Sequence, residues 1–232
     1  MSFAKRFYQD ATHGPQPDGW AVLLDGRPVR TPAGKPFRVS SEPLAAAVAA
    51  EWQRQEGEIR PDTMPLTRLC MNAIDQIADR RQDILEEVLR YAGSDLICYR
   101  AIEPDALIER QEKLWQPLVD WLAQEFGAQL VVTQGLMPVV QSPEALAAIR
   151  RVVEPLDGFR LTALAMATGA AGSLAVALAM VHGRLDGDGA FEICQLDETF
   201  QIEQWGEDYE AADKRAALRA DLSAISRFLS LL

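Results

Sequence analysis

The chain has 232 residues and a net charge of −11, from 23 Lys and Arg against 34 Asp and Glu. With 48% hydrophobic and 25% charged residues it has the composition of a folded globular protein, long enough for one large or two small domains, and not that of a disordered chain. The acidic balance speaks against nucleic acid as a partner, the two histidines against a catalytic triad or histidine-rich metal site, and the three dispersed cysteines (Cys70, Cys98 and Cys194) against a disulfide framework or a C-x-x-C pair, which fits a reducing compartment.

The opening Met1-Ser2-Phe3-Ala4-Lys5-Arg6-Phe7-Tyr8 has neither a long apolar core nor a small-residue cleavage site, so no targeting segment is expected there. Trp20 to Leu24 reads as a strand running into Asp25-Gly26, a dipeptide that accepts the positive φ of a two-residue hairpin, and Val29-Arg30-Thr31 follows as its partner. A second turn at Pro32 to Lys35 leads to Phe37-Arg38-Val39, which is expected to complete a small meander. Ser40 or Ser41 can then cap a helix with Pro43 in its first turn and Leu44, Val48 and Trp52 on one face, and Gly57 is expected to end it. The two prolines of the Ile59 to Leu66 connector place a boundary. The expected fold class is α+β, with a small N-terminal domain of β-meander plus helix over 1–66 and a mainly α-helical C-terminal domain over 67–232.

Beyond Thr67 the apolar spacing is helical: Leu69, Ile74 and Ile77 form one pattern, and Ile84, Leu85, Val88, Leu89 and Tyr91 the next. A longer pattern from Pro104 carries Leu107, Leu114, Leu118, Trp121, Leu122 and Phe126, with a kink expected at Pro117. Gln129 to Thr133 and Met137 to Gln141 read as short strands on either side of a turn at Gly135, and a helix follows near 143–154. Leu161 to Val181 is 21 residues without a charge, but Ala, Gly, Ser and Thr make up 13 of them, so a buried helix broken near Gly169 to Gly172 fits better than a membrane span. Ala165, Gly169, Ser173 and Ala177 recur every fourth residue, the pattern of a shallow ridge on one helix face. The C-terminal stretch brings Leu218, Leu222, Ile225 and Leu229 into helical register.

No cofactor is implied by any motif. Gly34-Lys35 lacks the upstream glycine of a phosphate loop, and Asp186-Gly187-Asp188-Gly189 continues into Ala190 and Phe191 where a calcium loop needs a ligand and a turn glycine, which leaves a solvated turn. His13 and His182 have no second ligand at fixed spacing. Charge distribution is more informative. Leu185 to Asp213 holds ten acids and no Lys or Arg. On a single helix Glu203, Glu207 and Glu210 would share a face, with Phe200 and Trp205 as large apolar neighbours. Besides a solvated helix face and a purely structural adaptor that binds several partners, two functional readings remain. One is a docking surface in which aromatic anchors give affinity and carboxylates steer a basic partner; the other is a carboxylate-based metal-dependent hydrolase using Asp197, Glu198 and Glu203.

Several phrases, in order and spacing, carry a resemblance: Lys5-Arg6-Phe7-Tyr8, Asp25-Gly26-Arg27-Pro28-Val29-Arg30-Thr31-Pro32, Glu51-Trp52, Met64-Pro65-Leu66-Thr67-Arg68, Asn72-Ala73-Ile74-Asp75, Asp95-Leu96-Ile97-Cys98-Tyr99-Arg100-Ala101, Gln111 with Trp115, Asp197-Glu198 with Phe200-Gln201, and Glu203-Gln204-Trp205-Gly206-Glu207-Asp208. Together they resemble the assembly chaperones for the alpha subunit of the F-type ATP synthase catalytic head, found in mitochondria and alphaproteobacteria. The resemblance implies a non-enzymatic chaperone that binds unassembled alpha subunit, prevents its aggregation and releases it to the beta subunit. It further implies a protein that is monomeric when free, does not insert into membranes, acts in the bacterial cytoplasm (the counterpart of the mitochondrial matrix), and touches its partner through Phe200, Glu203, Trp205, Glu207, Asp208 and Glu210.

Overall fold

The computed structural model describes residues 4–135 and 137–232, without the side chain of Ala78; Met1, Ser2 and Phe3 of the targeting reading lie outside the described residues. The chain packs as two compact units, Met1–Arg81 with Arg227–Leu232, and Gln82–Ser226.

In the first unit Asp25 (φ 47°) and Gly26 (φ 76°) make the tight turn their dipeptide predicts, between β2 (Gly19–Leu24) and the short β3 (Arg27–Pro28). The third strand is not the expected Phe37 to Val39 segment, which forms only a single bridge from Val39 to Trp20. It is β1, Ala11–Gln16, paired antiparallel with β2 from Ala11↔Leu24 to Gln16↔Gly19 in a sheet of order β1-β2-β3. Pro15 is tolerated within β1 because β1 lies at the sheet edge, where a missing N–H costs no ladder bond.

Helix α1 (Glu42–Gln53) starts where Ser41 caps it, its hydroxyl accepting the Leu44 N–H at 3.3 Å, and buries Leu44, Val48 and Trp52 in the core it shares with β1 and β2. Glu51, on the same helix, is buried. Its carboxylate accepts the backbone N–H of Leu66 (2.9 Å) and Thr67 (2.8 Å) and the Thr67 hydroxyl (2.6 Å), satisfying the free donors at the start of α2 (Pro65–Tyr91). Within α2 the helix breaks at Arg80 (φ −130°), between the two apolar patterns read from the sequence.

The second unit is mostly helical, so the expected α+β class holds for the chain. Helix α3 (Asp105–Phe126) runs through Pro117 as one element and ends at Gly127, whose φ of 70° is a left-handed stop. The two strands expected around Gly135 are corrected: only Thr133–Gln134 (β5) is a strand, pairing in parallel with Tyr99–Arg100 (β4). Elsewhere the Gln141 amide fills the place of a neighbouring strand, donating to the Val131 carbonyl at 3.0 Å and accepting its N–H at 2.7 Å. After α4 (Pro143–Val153), the uncharged stretch divides at Gly172 (φ 66°) into α5 (Gly158–Ala171) and α6 (Leu174–Val181), as expected, with α6 buried almost throughout. No helix among the described residues is long and apolar enough to cross a membrane. The four-residue ridge does not form, because Ser173 caps α6 rather than continuing α5 and Gly169 is exposed.

Asp186 to Gly189 is corrected too. It is not a solvated turn but the cap and first turn of α7 (Gly187–Cys194), with the Asp186 carboxylate accepting the Gly189 N–H at 2.8 Å. Helices α8 (Leu196–Trp205) and α9 (Tyr209–Ser230) follow, the second unit ending at Ser226 within α9.

Candidate functional site

Glu203, Glu207 and Glu210 do not share one helix face. Gly206, with φ 85° and ψ 168°, stops α8, and the Asp208 carboxylate caps α9 by accepting the Ala211 N–H at 2.9 Å. The break sends the three glutamates to three different cations. Glu203 and Arg110 of α3 form a two-pronged pair at 2.6 and 2.9 Å, and this contact holds the Glu203 carboxyl below the usual carboxylate range. Glu207 meets Arg215 Nε at 3.0 Å, while the same guanidinium donates to Gln195 Oε1 (3.0 Å) and Thr199 Oγ1 (3.1 Å) of the preceding elements. Glu210 pairs with Lys214 one turn along α9 at 2.7 Å.

Much of the acidic segment is therefore spent inside the fold. Asp186 and Asp208 cap helices, Asp188 pairs with Arg219 at 3.1 Å, and Asp197 accepts the Gln111 amide at 2.7 Å. Phe200 lies on the buried side of α8, with the Arg110 guanidinium 5.3 Å above its ring. Within this segment the large apolar side chains facing solvent are Trp205 (79% exposed) and Tyr209 (95% exposed), one on each side of the Gly206 to Asp208 junction. Tyr209 is absent from the sequence-based set; the signal available for it was an aromatic residue inside a run of acids. A cavity of about 440 Å³ adjoins the junction, lined by Glu198, Asp208, Glu210, Lys214, Arg215 and Leu218 among others.

The hydrolase reading loses its constellation. Asp197 is bound to Gln111 and Glu203 to Arg110, and no group of three His, Cys, Asp or Glu among the described residues could hold a metal ion. His182 packs against Phe126 (5.0 Å) and Trp121 (5.8 Å), and burial pushes its pKa below the ordinary 6.5, which keeps the ring neutral near pH 7. His13 packs on Trp20 at 5.9 Å. The three cysteines are free; burial pushes the Cys98 thiol up to about 12 and the Cys194 thiol up to about 11, so neither is a ready thiolate.

The α+β chain thus carries paired carboxylates beside two exposed aromatics at the α8–α9 junction. Residues 5–123 match the family described as ATP12 chaperone protein. The crystal structure of Atp12 from Paracoccus denitrificans is similar with a TM-score of 0.93 at 42% identity, over 98% of each chain. That of Atu1473 from Agrobacterium tumefaciens is similar with a TM-score of 0.92 at 39% identity, over 98% of this chain and 85% of that one. The mitochondrial protein atp12 of Schizosaccharomyces pombe is 27% identical over 214 residues, which cover 87% of this chain and 74% of that protein. The chain belongs to the ATP12 chaperone family, a family of non-enzymatic chaperones, which is the family its sequence motifs resemble.

Proposed function

We propose that this protein binds the unassembled alpha subunit of the F-type ATP synthase, keeps it from aggregating, and yields it to the beta subunit as the catalytic head forms. Membership in an assembly-chaperone family supports the reading at the level of class. The observation that carries it to a surface is the exposed pair Trp205 and Tyr209 at the α8–α9 junction. Large aromatics left in water at a helix break stabilise nothing in the free chain, whereas buried in an interface each supplies contact area at low conformational cost. Glu203, Glu207, Asp208 and Glu210 form the rim, and Phe200 supports it from the buried side of α8. Carboxylates already paired with arginine or lysine can exchange partners with basic groups of a client at small net cost. Such a rim gives selectivity and reversibility more than affinity, as a chaperone that must let go requires. The site of action under this proposal is the bacterial cytoplasm, with the protein monomeric when free.

The test is titration of purified alpha subunit with the wild-type protein and with the Trp205→Ala, Tyr209→Ala double variant. Loss of two interface aromatics is expected to weaken binding about thirtyfold or more, following the cost of truncating central anchors. The thermal unfolding curve should not move, because both side chains are exposed. Wild-type affinity in the folded double variant would place the client elsewhere.

A further inference from the structure

In the first unit, a cavity of about 520 Å³ opens beside the hairpin turn, and its lining shares no residue with the proposed client contacts. Its apolar lining includes Phe7, Tyr8 and Trp52. These rings are fixed in mutual edge-to-face packing, Phe7 on Tyr8 at 5.4 Å and Tyr8 on Trp52 at 5.8 Å, and the Tyr8 hydroxyl donates to the Trp52 carbonyl at 2.7 Å. Phe7 is nonetheless 72% exposed. The Trp52 indole N–H is buried and has no hydrogen-bond acceptor, an unusual state for a buried donor.

Charge here runs opposite to that of the molecule. Arg27 and Arg30 line the cavity, and neither forms an ion pair with a described residue; Arg30 donates one hydrogen bond, to the Gly34 carbonyl at 2.8 Å. Arg6, stacked 4.7 Å from the Tyr8 ring, is held by backbone carbonyls including those of Tyr8 and Gln55 and lies within electrostatic reach of the Asp25 carboxylate. The acid in the lining, Asp25, is committed to the backbone N–H groups of Gln9 and Asp10 at 2.9–3.2 Å. Two arginines thus line the cavity against one engaged carboxylate, in a chain whose net charge is −11.

We propose that this cavity binds an acidic peptide segment of a partner protein, in which carboxylates flank an aromatic or branched apolar side chain. The apolar side chain would enter against Phe7, Tyr8 and Trp52, and the carboxylates would meet Arg27 and Arg30 at the mouth. Aromatic walls are what distinguish such an occupant from a small inorganic anion, for which they offer nothing. The inference does not depend on the α8–α9 surface, and the two stand or fall separately.

The experiment follows the indole N–H resonances of the whole protein during titration with the peptide acetyl-DEFDLE-amide, with acetyl-KKFKLK-amide and inorganic phosphate as comparisons. The Trp52→Phe variant assigns the Trp52 signal. The acidic peptide is expected to shift it to saturation, while Trp115, Trp121 and Trp205 stay in place. Affinity should fall about tenfold in the Arg27→Glu, Arg30→Glu double variant and weaken with added salt. An unmoved Trp52 signal, an equal response to the basic peptide, or an equal response to phosphate would each overturn the proposal.

Discussion

Asp95 is 1% exposed, yet its carboxylate is saturated with donors: the Ser173 hydroxyl at 2.6 Å, the Ala175 N–H at 2.9 Å and the Ile97 N–H at 3.3 Å. It joins the 3₁₀ turn before β4 to the first turn of α6, 78 residues on, and so stitches the buried centre of the helical unit. Burial pushes its pKa above the ordinary 3.8 in spite of those bonds. Asp95→Ala strips the acceptor from a buried hydroxyl and buried amides. It is expected to cost about 2–4 kcal/mol, read as a lowered midpoint in urea with an unchanged slope; a loss under about 0.5 kcal/mol would contradict this role. The aspartate was legible as part of a family phrase, Asp95-Leu96-Ile97-Cys98-Tyr99-Arg100, but its role was not. A local sequence pattern carries no information about a partner so far along the chain. Arg110 and Arg215 escaped the site reading for the same reason, since the segment they neutralise contains no cation of its own.

At the scale of elements, helices were read well where apolar spacing was sustained and poorly where one residue ended them. Ser41, Pro43 and the Leu44–Val48–Trp52 stripe gave α1, and Asp25-Gly26 gave the hairpin. The glutamates of α8 and α9 were placed on one face because helical counting continued through Gly206, whose φ of 85° and ψ of 168° suit glycine and little else. Two other glycines separate close packing from conformational freedom. A Cβ on Gly187 would lie 2.6 Å from the Ser223 Cα and 2.8 Å from its nitrogen, so α7 meets the backbone of α9 there. Gly169 in α5 has nothing within 4 Å of the added carbon. Gly187→Ala is expected to destabilise by about 1–3 kcal/mol through overpacking, and Gly169→Ala to stabilise by about 0.5–1 kcal/mol through helix propensity. Denaturant melts of the two variants check both signs, and a neutral Gly187→Ala would mean that α7 and α9 part easily.

For the whole molecule, composition narrowed the class, the ordered motifs supplied the family, and the acidic run with Trp205 pointed to the candidate surface, whose ion pairs and helix break the structure supplied. The ten acids from Leu185 to Asp213 suggested a docking face of clustered carboxylates with aromatic anchors. The fold instead spends most of those carboxylates on caps and internal pairs, and exposes two aromatics at a helix junction. Under the proposed function, aromatic contact at this junction gives hold and exchangeable ion pairs allow release. The most direct test of this account is co-expression of the protein with the isolated alpha subunit, followed by size-exclusion chromatography before and after addition of beta subunit. The account predicts a discrete complex that loses its alpha subunit when beta arrives, leaving this protein to elute alone. An alpha subunit that aggregates regardless, or a complex that beta cannot dissolve, would contradict it.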